Sequence, residues 1–208
     1  MLLKWHGHSC FSLICGTRIM LIDPFDEGVG YSLPSIEPDI IVESHQHHDH
    51  NAHDRFNNDY TLIREPGNHE AFGFTVKGYE TFHDELQGSK RGSNIVFDVT
   101  TPDGFRVVHC GDLGHVPATE ILQKLSEPDV LLIPVGGVYT VDSSTAWKIA
   151  KAIEPSFIIP MHYKTPALNF NLDAVDSFIS GRKFERLESL SLESKSYGEA
   201  KIVLLEYA

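Results

Sequence analysis

The stretch SHQHHDH at residues 44–50 constrains this chain more than any other part of its sequence. It follows the apolar run IIV at residues 40–42, which is typical of the end of a buried strand. His45 and His47 are two positions apart, so in an extended backbone both imidazoles point to the same side. Two imidazoles on one side of a strand end can share a metal ion, and we therefore expect a metal site here.

Asp49 and His50 extend this expectation to a second ion. They stand where the strand should bend into a helix, so their side chains can reach a position beside the first ion. Neutral imidazoles and a carboxylate suit zinc, iron or manganese better than calcium. The alternative is a solvated histidine-rich loop or an adventitious metal patch. The ligand spacing and its place after a strand both favour a built site.

The formal net charge of −12 limits the partners that the chain can bind. Such a charge argues against a general affinity for nucleic acid or for an anionic membrane surface. It allows a small anionic substrate, because bound metal ions reverse the local potential. We therefore expect a small-molecule substrate, and neither nucleic acid nor a membrane as a partner. The sequence leaves a homo-oligomer open.

The cysteines and the apolar runs indicate the compartment. No apolar run is long enough to span a membrane, and the N-terminus lacks the basic-then-apolar pattern of a signal peptide. Cys10, Cys15 and Cys110 are an odd number of cysteines without a CxxC pair, which is typical of reduced thiols. These features predict a cytoplasmic protein.

The order of strand and helix signals indicates the architecture. The predicted strands are 2–6, 10–15, 18–22, 40–43, 61–64, 72–77, 79–82, 94–99, 105–110, 129–135, 156–160 and 201–206. The predicted helices are 51–56, 117–125, 145–153 and 172–179. Strands come first in each half, so we expect two sheets packed face to face with helices outside. We expect one domain over residues 1–208, with two similar halves that meet at the turn 101–104.

Three further ligand-type residues stand directly after predicted strands. His83 follows the strand 79–82, and Asp112 and His162 come two residues after the strands 105–110 and 156–160. Strand ends are where layered folds open their sites. A site for two metal ions needs more than four ligands, so these residues are candidates to complete it.

Together these residues resemble the five-motif signature of the metallo-β-lactamase superfamily. The matching motifs are His45-x-His47-x-Asp49-His50, His83, Gly111-Asp112 and His162. The motifs that resemble its small single-domain branch of zinc-dependent hydrolases are Trp5-His6-Gly7-His8-Ser9, Asp23-Pro24 and Pro160-Met161-His162-Tyr163. That branch includes the ascorbate-6-phosphate lactonase type. The resemblance covers nearly the whole chain and implies an α/β (α+β) fold, a four-layer αββα sandwich with its site at the edge between the two sheets.

The resemblance also implies a ligand set and a reaction. The implied ligands are His45, His47 and His83 for the first metal, Asp49, His50 and His162 for the second, and Asp112 as a bridge between them. Two divalent ions are expected, zinc first, with manganese or iron as alternatives. The implied enzyme is a metal-dependent hydrolase. In such an enzyme the two ions would supply a hydroxide as the nucleophile, and the bond cleaved would be an ester, lactone or phosphodiester bond of a small anionic substrate. Asp49 would orient that hydroxide and pass a proton to the leaving group.

Other residues near the motifs are candidates for contact with the substrate. His115, three positions after Asp112, is a candidate for substrate contact or proton transfer. Lys164 and Arg91 follow the ligands His162 and His83, and either cation could pair with a phosphate or carboxylate. The alternative for both is a solvated cation. Tyr139, after the strand 129–135, is expected to face the metals.

His8 and Asp23 are the two candidates in the first strands. His8 resembles the Gly-His that opens this branch of the family and is expected to line the pocket. Asp23 stands at a strand end, and metal-bound histidines donate their other N–H to such a carboxylate. We therefore expect Asp23 to support a ligand, and a turn-capping role before Pro24 is a compatible alternative.

Two other functions remain open at this point. The first is an iron-dependent oxidoreductase on the same fold. Its di-iron branch has Glu where this chain has His47, and it carries a flavin domain for which this sequence has no counterpart. The second is a metal-holding protein without turnover, although every expected ligand is present.

Overall fold

The structure is a computed structural model that describes residues 1–195 and 198–207. Within these residues the strands form one sheet of six and one of eight strands. The first sheet contains, from edge to edge, β13 (Leu190–Ser191), β1 (Leu2–Trp5), β2 (Phe11–Cys15), β3 (Arg18–Ile22), β4 (Ile40–Val42) and β5 (Thr61–Ile63). The second contains β12 (Phe184–Leu187), β14 (Lys201–Leu205), β11 (Phe157–Met161), β10 (Val130–Pro134), β9 (Arg106–His109), β8 (Ser93–Thr100), β7 (Phe74–Phe82) and β6 (Gly67–Ala71).

The α-helices lie against the second sheet. They are α1 (Thr119–Lys124), α2 (Ser143–Ile153) and α3 (Asp176–Ile179). The helix α2 contacts β10 and also both other helices. The Asp142 side chain accepts a hydrogen bond from the Thr145 N–H at 2.7 Å and so caps the start of α2. The connections after β3 and β4 contain only short 3₁₀ turns, at Glu27–Val29 and Ala52–Arg55.

The side chains of the first sheet pack on both of its faces. Met20 and Ile22 of β3 join the main core between the two sheets, whereas Leu21 points to the opposite face. There Leu21 packs with Phe25 and Val29 from the connection that follows β3. The first sheet is therefore covered by loops on its outer face, and these loops run past the ends of the strands.

The strand directions bring the predicted ligands to one edge of each sheet. In the first sheet β1 and β3 are both antiparallel to β2, and β4 is parallel to β3. In the second sheet β7 and β9 are both antiparallel to β8, and β10 and β11 run parallel to β9. The carboxyl ends of β1, β3 and β4 thus meet at one edge, and those of β7, β9, β10 and β11 meet at another.

This mixed architecture of two sheets and few helices confirms the predicted α/β class with two facing sheets. Several details of the prediction were wrong. The strands predicted at 72–77 and 79–82 are one strand, β7, which continues through Gly78. The predicted helix at 51–56 is a 3₁₀ turn, and the helix predicted at 172–179 is limited to α3. The strands β6, β12 and β13 were not predicted.

Membrane-spanning helices are also absent from the part of the chain that is described. None of the helices in residues 1–195 and 198–207 combines the length and apolarity needed to cross a bilayer.

Candidate metal centre

The seven predicted ligands come from four strand ends and meet in one place. They are His45, His47, Asp49 and His50 after β4, His83 after β7, Asp112 after β9 and His162 after β11. The four residues after β4 belong to the first sheet, and the other three belong to the second. The site therefore lies where the edges of the two sheets come together.

The first ligand group consists of His45, His47 and His83, whose ligand atoms lie within 4.8 Å of one another. Nε2 of His45 is 3.0 Å from Nδ1 of His47. Two imidazole nitrogens on one tetrahedral zinc ion, with Zn–N bonds of 2.0–2.1 Å, lie about 3.3 Å apart. The spacing of these two rings is therefore close to that of two ligands of one ion.

The proton on His45 is fixed by its neighbours. The Ser44 hydroxyl donates its proton to Oδ2 of Asp23 at 2.7 Å. The Ser44 hydroxyl oxygen, whose own proton is engaged, must then accept from Nδ1–H of His45 at 3.0 Å. Nε2 of His45 is therefore the unprotonated nitrogen, and its lone pair faces the first ligand group.

The second ligand group contains Asp49, His50 and His162, and the structure adds His8 to it. Nδ1 of His50 is 2.9 Å from Oδ2 of Asp23, and an ionised carboxylate only accepts, so this nitrogen donates. The lone pair on Nε2 of His50 then faces the carboxylates of Asp49 and Asp112. Asp23 thus supports ligands in both groups, one directly and one through Ser44.

Asp112 lies between the two groups. Its Oδ2 is 3.1 Å from Nε2 of His83 in the first group and 3.0 Å from Nε2 of His162 in the second. Its Oδ1 is 3.3 Å from Nε2 of His50. One buried carboxylate therefore contacts ligand atoms of both groups, which is the position required of a bridge.

The donor atoms fit divalent metal ions. Nε2 of His50 and Oδ1 of Asp112 face each other, both are buried, and neither has a hydrogen-bond partner within the described residues. A metal ion bound to both atoms would satisfy this lone pair and this carboxylate oxygen together. Imidazole nitrogen and carboxylate oxygen are the donors that zinc, iron and manganese take.

Burial and the neighbouring charges set the protonation of these groups and the sign of the charge that the site favours. Burial lowers the pKa of His45 to about 3, so its imidazole is neutral at pH 7. Burial opposes ionisation of Asp112, but the neighbouring His162 and His50 hold the pKa of its carboxyl well below its usual range. Burial likewise opposes a charge on His50, yet the carboxylates of Asp112 and Asp49 raise its pKa well above the usual value. The space between these groups therefore favours a positive charge.

Three residues at the metal centre have left-handed backbone, which is strained for residues other than glycine. They are His8 with φ of 51°, Asp23 with φ of 48° and His162 with φ of 51°. Each follows the carboxyl end of a strand, namely β1, β3 and β11. The surrounding structure holds all three in place around the same site.

A cavity of about 410 Å³ opens onto the ligands. Its lining includes ligands of both groups together with Lys90, Arg91, Tyr139 and Phe170. The Arg91 guanidinium lies 5.6 Å from the centre of the Tyr139 ring, and its Nη2 donates to the Val138 carbonyl at 3.3 Å. Two of the predicted substrate-binding residues, Arg91 and Tyr139, thus form one wall of this cavity.

Three residues predicted to contact the substrate are not in the lining of this cavity, namely His8, His115 and Lys164. His8 is fully buried beside the ligands of the second group, so the expectation that it lines the pocket was wrong. Nε2 of His115 accepts from the Phe82 N–H at 3.1 Å, and its Nδ1 donates to the Val116 carbonyl at 2.9 Å. The Lys164 ammonium donates to the carbonyls of Leu168 and Phe170. His115 is therefore engaged with the backbone on both nitrogens, and Lys164 holds the loop that carries Phe170.

The sequence reasoning missed three residues of the cavity wall, namely His48, Lys90 and Phe170. His48 has a signal, because it stands between the ligands His47 and Asp49. Lys90 has a signal, because it precedes Arg91 in a loop that starts directly after the ligand His83. Phe170 has none, because it reaches the cavity only through the path of the loop after β11.

A larger cavity of about 570 Å³ lies beside α2 and contains no histidine in its lining.

Comparisons with known proteins indicate one family for this chain. Residues 2–162 match the family described as beta-lactamase superfamily domain. A protein named UPF0173 metal-dependent hydrolase from Methanoculleus marisnigri is 34% identical, and the match covers 96% of each chain. A protein of the same family name from Thermoplasma acidophilum is 33% identical over 77% of this chain and 82% of its own length.

Solved structures of similar proteins have the same fold. A crystal structure from Thermotoga maritima, of a protein assigned to the metallo-beta-lactamase superfamily, superposes with a TM-score of 0.83 and 39% identity. The superposition covers 98% of this chain and 97% of that one. A metallo hydrolase from Ignicoccus hospitalis shares the fold, with a TM-score of 0.70 and 21% identity over 99% of this chain and 95% of that one.

Proposed function

The chain belongs to the metallo-β-lactamase superfamily of metal-dependent hydrolases, and we propose that it uses two divalent ions to cleave an ester, lactone or phosphodiester bond. The observation that carries the proposal is the position of Asp112, whose carboxylate contacts His83 on one side and His50 and His162 on the other. The proposed ions are zinc, with manganese and iron as alternatives, because imidazole and carboxylate donors suit all three.

The first ion would be held by His45, His47 and His83, the second by Asp49, His50 and His162, and both by Asp112. When bound, two such ions supply a water of lowered pKa as the nucleophile and polarise the scissile oxygen. The protein's own part is to fix the ligands. Asp23 holds the tautomer of His50 directly and that of His45 through Ser44.

Asp49 is proposed to orient the nucleophile and to carry a proton to the leaving group. It lines the cavity, and its side chain is partly exposed, whereas Asp112 is buried between the ligand groups. Oδ1 of Asp49 lies 3.9 Å from Nδ1 of the exposed His48. Asp49 is therefore the ligand carboxylate with the better access to a substrate and to solvent.

A small anionic molecule is the proposed substrate. Lys90 and Arg91 line the cavity, and neither forms a salt bridge within the described residues. The loop that carries them is fixed by Asp84, whose Oδ2 accepts from the Lys90 N–H at 2.9 Å and the Arg91 N–H at 2.8 Å. Two unpaired cations at the metal site of a chain with net charge −12 favour a phosphate or carboxylate on the substrate.

The proposed enzyme works in the cytoplasm as a lactonase-like or phosphodiesterase-like hydrolase. The three cysteines, Cys10, Cys15 and Cys110, are free thiols and buried, which suits a reducing compartment. Sugar-phosphate lactones and cyclic phosphodiesters both combine a scissile bond with a phosphate. They are therefore the first substrate classes to test.

The experiment is a substrate panel on protein reconstituted with zinc, manganese or iron. We expect close to two equivalents of metal per chain and turnover of a sugar-phosphate lactone, a cyclic phosphodiester or a thioester. His47→Ala should lower kcat/KM by more than about 100-fold, beyond the 10–100-fold typical for residues that only support ligands, while the chain stays folded.

Three outcomes would contradict the proposal. Full activity after removal of the metal, or in His47→Ala, would exclude the assigned ligands. Iron loading with oxygen consumption would favour an oxidoreductase on the same fold. Inactivity of the two-metal protein across the whole panel would favour a metal-holding protein without turnover.

A further inference from the structure

We infer that His8 is a positioning residue of the second metal group, which it fastens by donating Nε2–H to Asp49. Nε2 of His8 lies 3.2 Å from Oδ2 of Asp49. The His8 side chain is fully buried, and its ring centre lies 4.2 Å from that of His162 and 5.1 Å from that of His50. The inference rests on the proposed function, because it concerns the second of the two proposed metal ions.

The direction of this hydrogen bond follows from the chemistry of a ligand carboxylate. Asp49 must be ionised to bind a metal ion, and an ionised carboxylate only accepts hydrogen bonds. Asp49, His50, His162 and Asp112 already supply four donors, the number that a tetrahedral zinc ion takes, so His8 is not needed as a ligand and its Nε2 is assigned the proton of this hydrogen bond. Although His8 lies among the ligands, it holds one of them instead of binding the ion itself.

The main chain of His8 fastens a second member of the same group. The His8 carbonyl accepts from the His162 N–H at 3.1 Å and from Nε1–H of Trp5 at 3.0 Å. His8 thus contacts Asp49 from the first sheet with its side chain and His162 from the second sheet with its backbone. A single residue after β1 links two ligands that come from different sheets.

The local backbone is built for this contact. His8 adopts the left-handed conformation, which is unfavourable for a residue with a Cβ, and Trp5 and His162 hold it there. Gly7 precedes it with φ of 98°, and a Cβ at Gly7 would lie 2.5 Å from Cγ of Tyr31. The glycine therefore lets the chain pass the Tyr31 ring and turn His8 into the site.

Two variants, His8→Phe and His8→Gln, distinguish the hydrogen-bond donor of His8 from the packing of its ring. Phe keeps a planar ring beside His162 without a donor, and Gln has a side-chain N–H close to the position of Nε2. We expect His8→Phe to bind the first equivalent of zinc as the wild type does and the second 10–100-fold more weakly. His8→Gln should restore the second affinity to within about threefold.

The measurement is a titration of the full-length, metal-free chain with Zn²⁺ by calorimetry, repeated with Co²⁺ to follow the visible absorption of each site. His69→Phe is the matched control, because His69 lies on β6, belongs to neither ligand group and bonds the Glu65 carbonyl at 2.9 Å. Unchanged binding of both equivalents in His8→Phe would overturn the inference. An equal loss in His8→Gln and His8→Phe would overturn the donor role.

The protonation of His8 can also be measured in the wild type, so that the test does not depend on the folding of a variant. In protein loaded with ¹¹³Cd, the ¹⁵N spectra should show His8 protonated on Nε2 and without coupling to cadmium. Coupling between Nε2 of His8 and ¹¹³Cd would make His8 a ligand and overturn the inference. A wild type that binds one equivalent only would instead overturn the two-metal function itself.

Discussion

At the scale of single residues, Gly111 shows how closely the site is packed. It has φ of 54° and precedes the bridging candidate Asp112. A Cβ at this position would lie 2.6 Å from Cβ of Ser44 and would also overlap Oδ1 of Asn94. That oxygen accepts the Asp112 N–H at 2.9 Å, so any shift of Asn94 would also shift Asp112. Glycine is therefore required here by both backbone conformation and space.

Gly111→Ala tests this requirement against Gly16→Ala. Gly16 has a similar φ of 60°, but a Cβ there would meet nothing within 4 Å. Both changes carry the cost of left-handed backbone, about 1 kcal/mol, and only Gly111→Ala adds the clash, which we expect to cost a further 1–3 kcal/mol or so. The readouts are the free energy of unfolding in urea and the metal content. Equal losses in the two variants would contradict the clash.

Arg91 carries a prediction about the substrate. Arg91→Ala should raise KM for an anionic substrate by about tenfold, because a charge-assisted hydrogen bond is worth about 1.5–3 kcal/mol. KM for an uncharged ester should not change. Arg55→Ala is the matched control, since Arg55 pairs with Glu27 on the surface at 2.9 Å. An equal effect on charged and uncharged substrates would exclude an ionic role for Arg91.

At the scale of elements, two sequence signals were misread for physical reasons. Gly78 suggested a break between two strands, yet β7 continues through it and pairs with β8 along its length. A Cβ at Gly78 would lie 3.0 Å from the Pro66 Cα, so the glycine reflects a close approach of chains and not a turn. The strand β6 has the sequence Gly-Asn-His-Glu-Ala, which has no alternation of apolar and polar residues, and pairing with β7 alone defines it.

The loop after β7 depends on one carboxylate. Asp84 accepts backbone N–H groups of Leu86, Gly88, Lys90 and Arg91 at 2.7–3.1 Å. Asp84→Ala should therefore lower the free energy of unfolding by about 1–2 kcal/mol, as loss of a cap does, and speed hydrogen exchange of these four amides. Asp103→Ala is the control, because it removes a carboxylate that accepts from the Thr101 hydroxyl in another loop and should leave the exchange of these four amides unchanged. Unchanged exchange in Asp84→Ala would refute the role of Asp84 in holding the cationic wall.

At the scale of the whole molecule, buried neutral histidines make the fold sensitive to acid. Burial lowers the pKa of His6 and His8 to about 4 and that of His45 to about 3. In the unfolded chain each of these groups binds a proton near pH 6.5. Below that pH the unfolded state holds more protons than the native state, so stability falls as pH falls.

We therefore expect the free energy of unfolding of the metal-free chain to decrease between about pH 6.5 and pH 4. The slope should exceed 1.36 kcal/mol per pH unit, the value for one proton, because several histidines contribute. In the metal-loaded protein the ions should leave over the lower part of the same range, since protons compete for the imidazoles. Urea midpoints and metal content at each pH are the measurements. A flat stability between pH 7 and pH 5 would contradict the prediction.

Much of the candidate site could be predicted from the sequence because its signals are local. The spacing of His45, His47, Asp49 and His50 after an apolar strand is a feature of seven consecutive residues. His83, Asp112 and His162 could be found because each stands directly after a strand that its own residues define. Ligand identity depends on donor chemistry and on position along a strand, and both can be read from the chain.

The relations between segments were decided by the tertiary structure alone. The contact of His8 with Asp49 and the cavity wall made by Lys90 and Phe170 join residues far apart in sequence. The same packing turned Lys164 and His115 toward backbone groups and away from the cavity. The sequence by itself determined which side chains can bind metal and at which strand ends they stand. Only the packing of two sheets, which fixes the distance between those ends, decided which of them share an ion or a substrate.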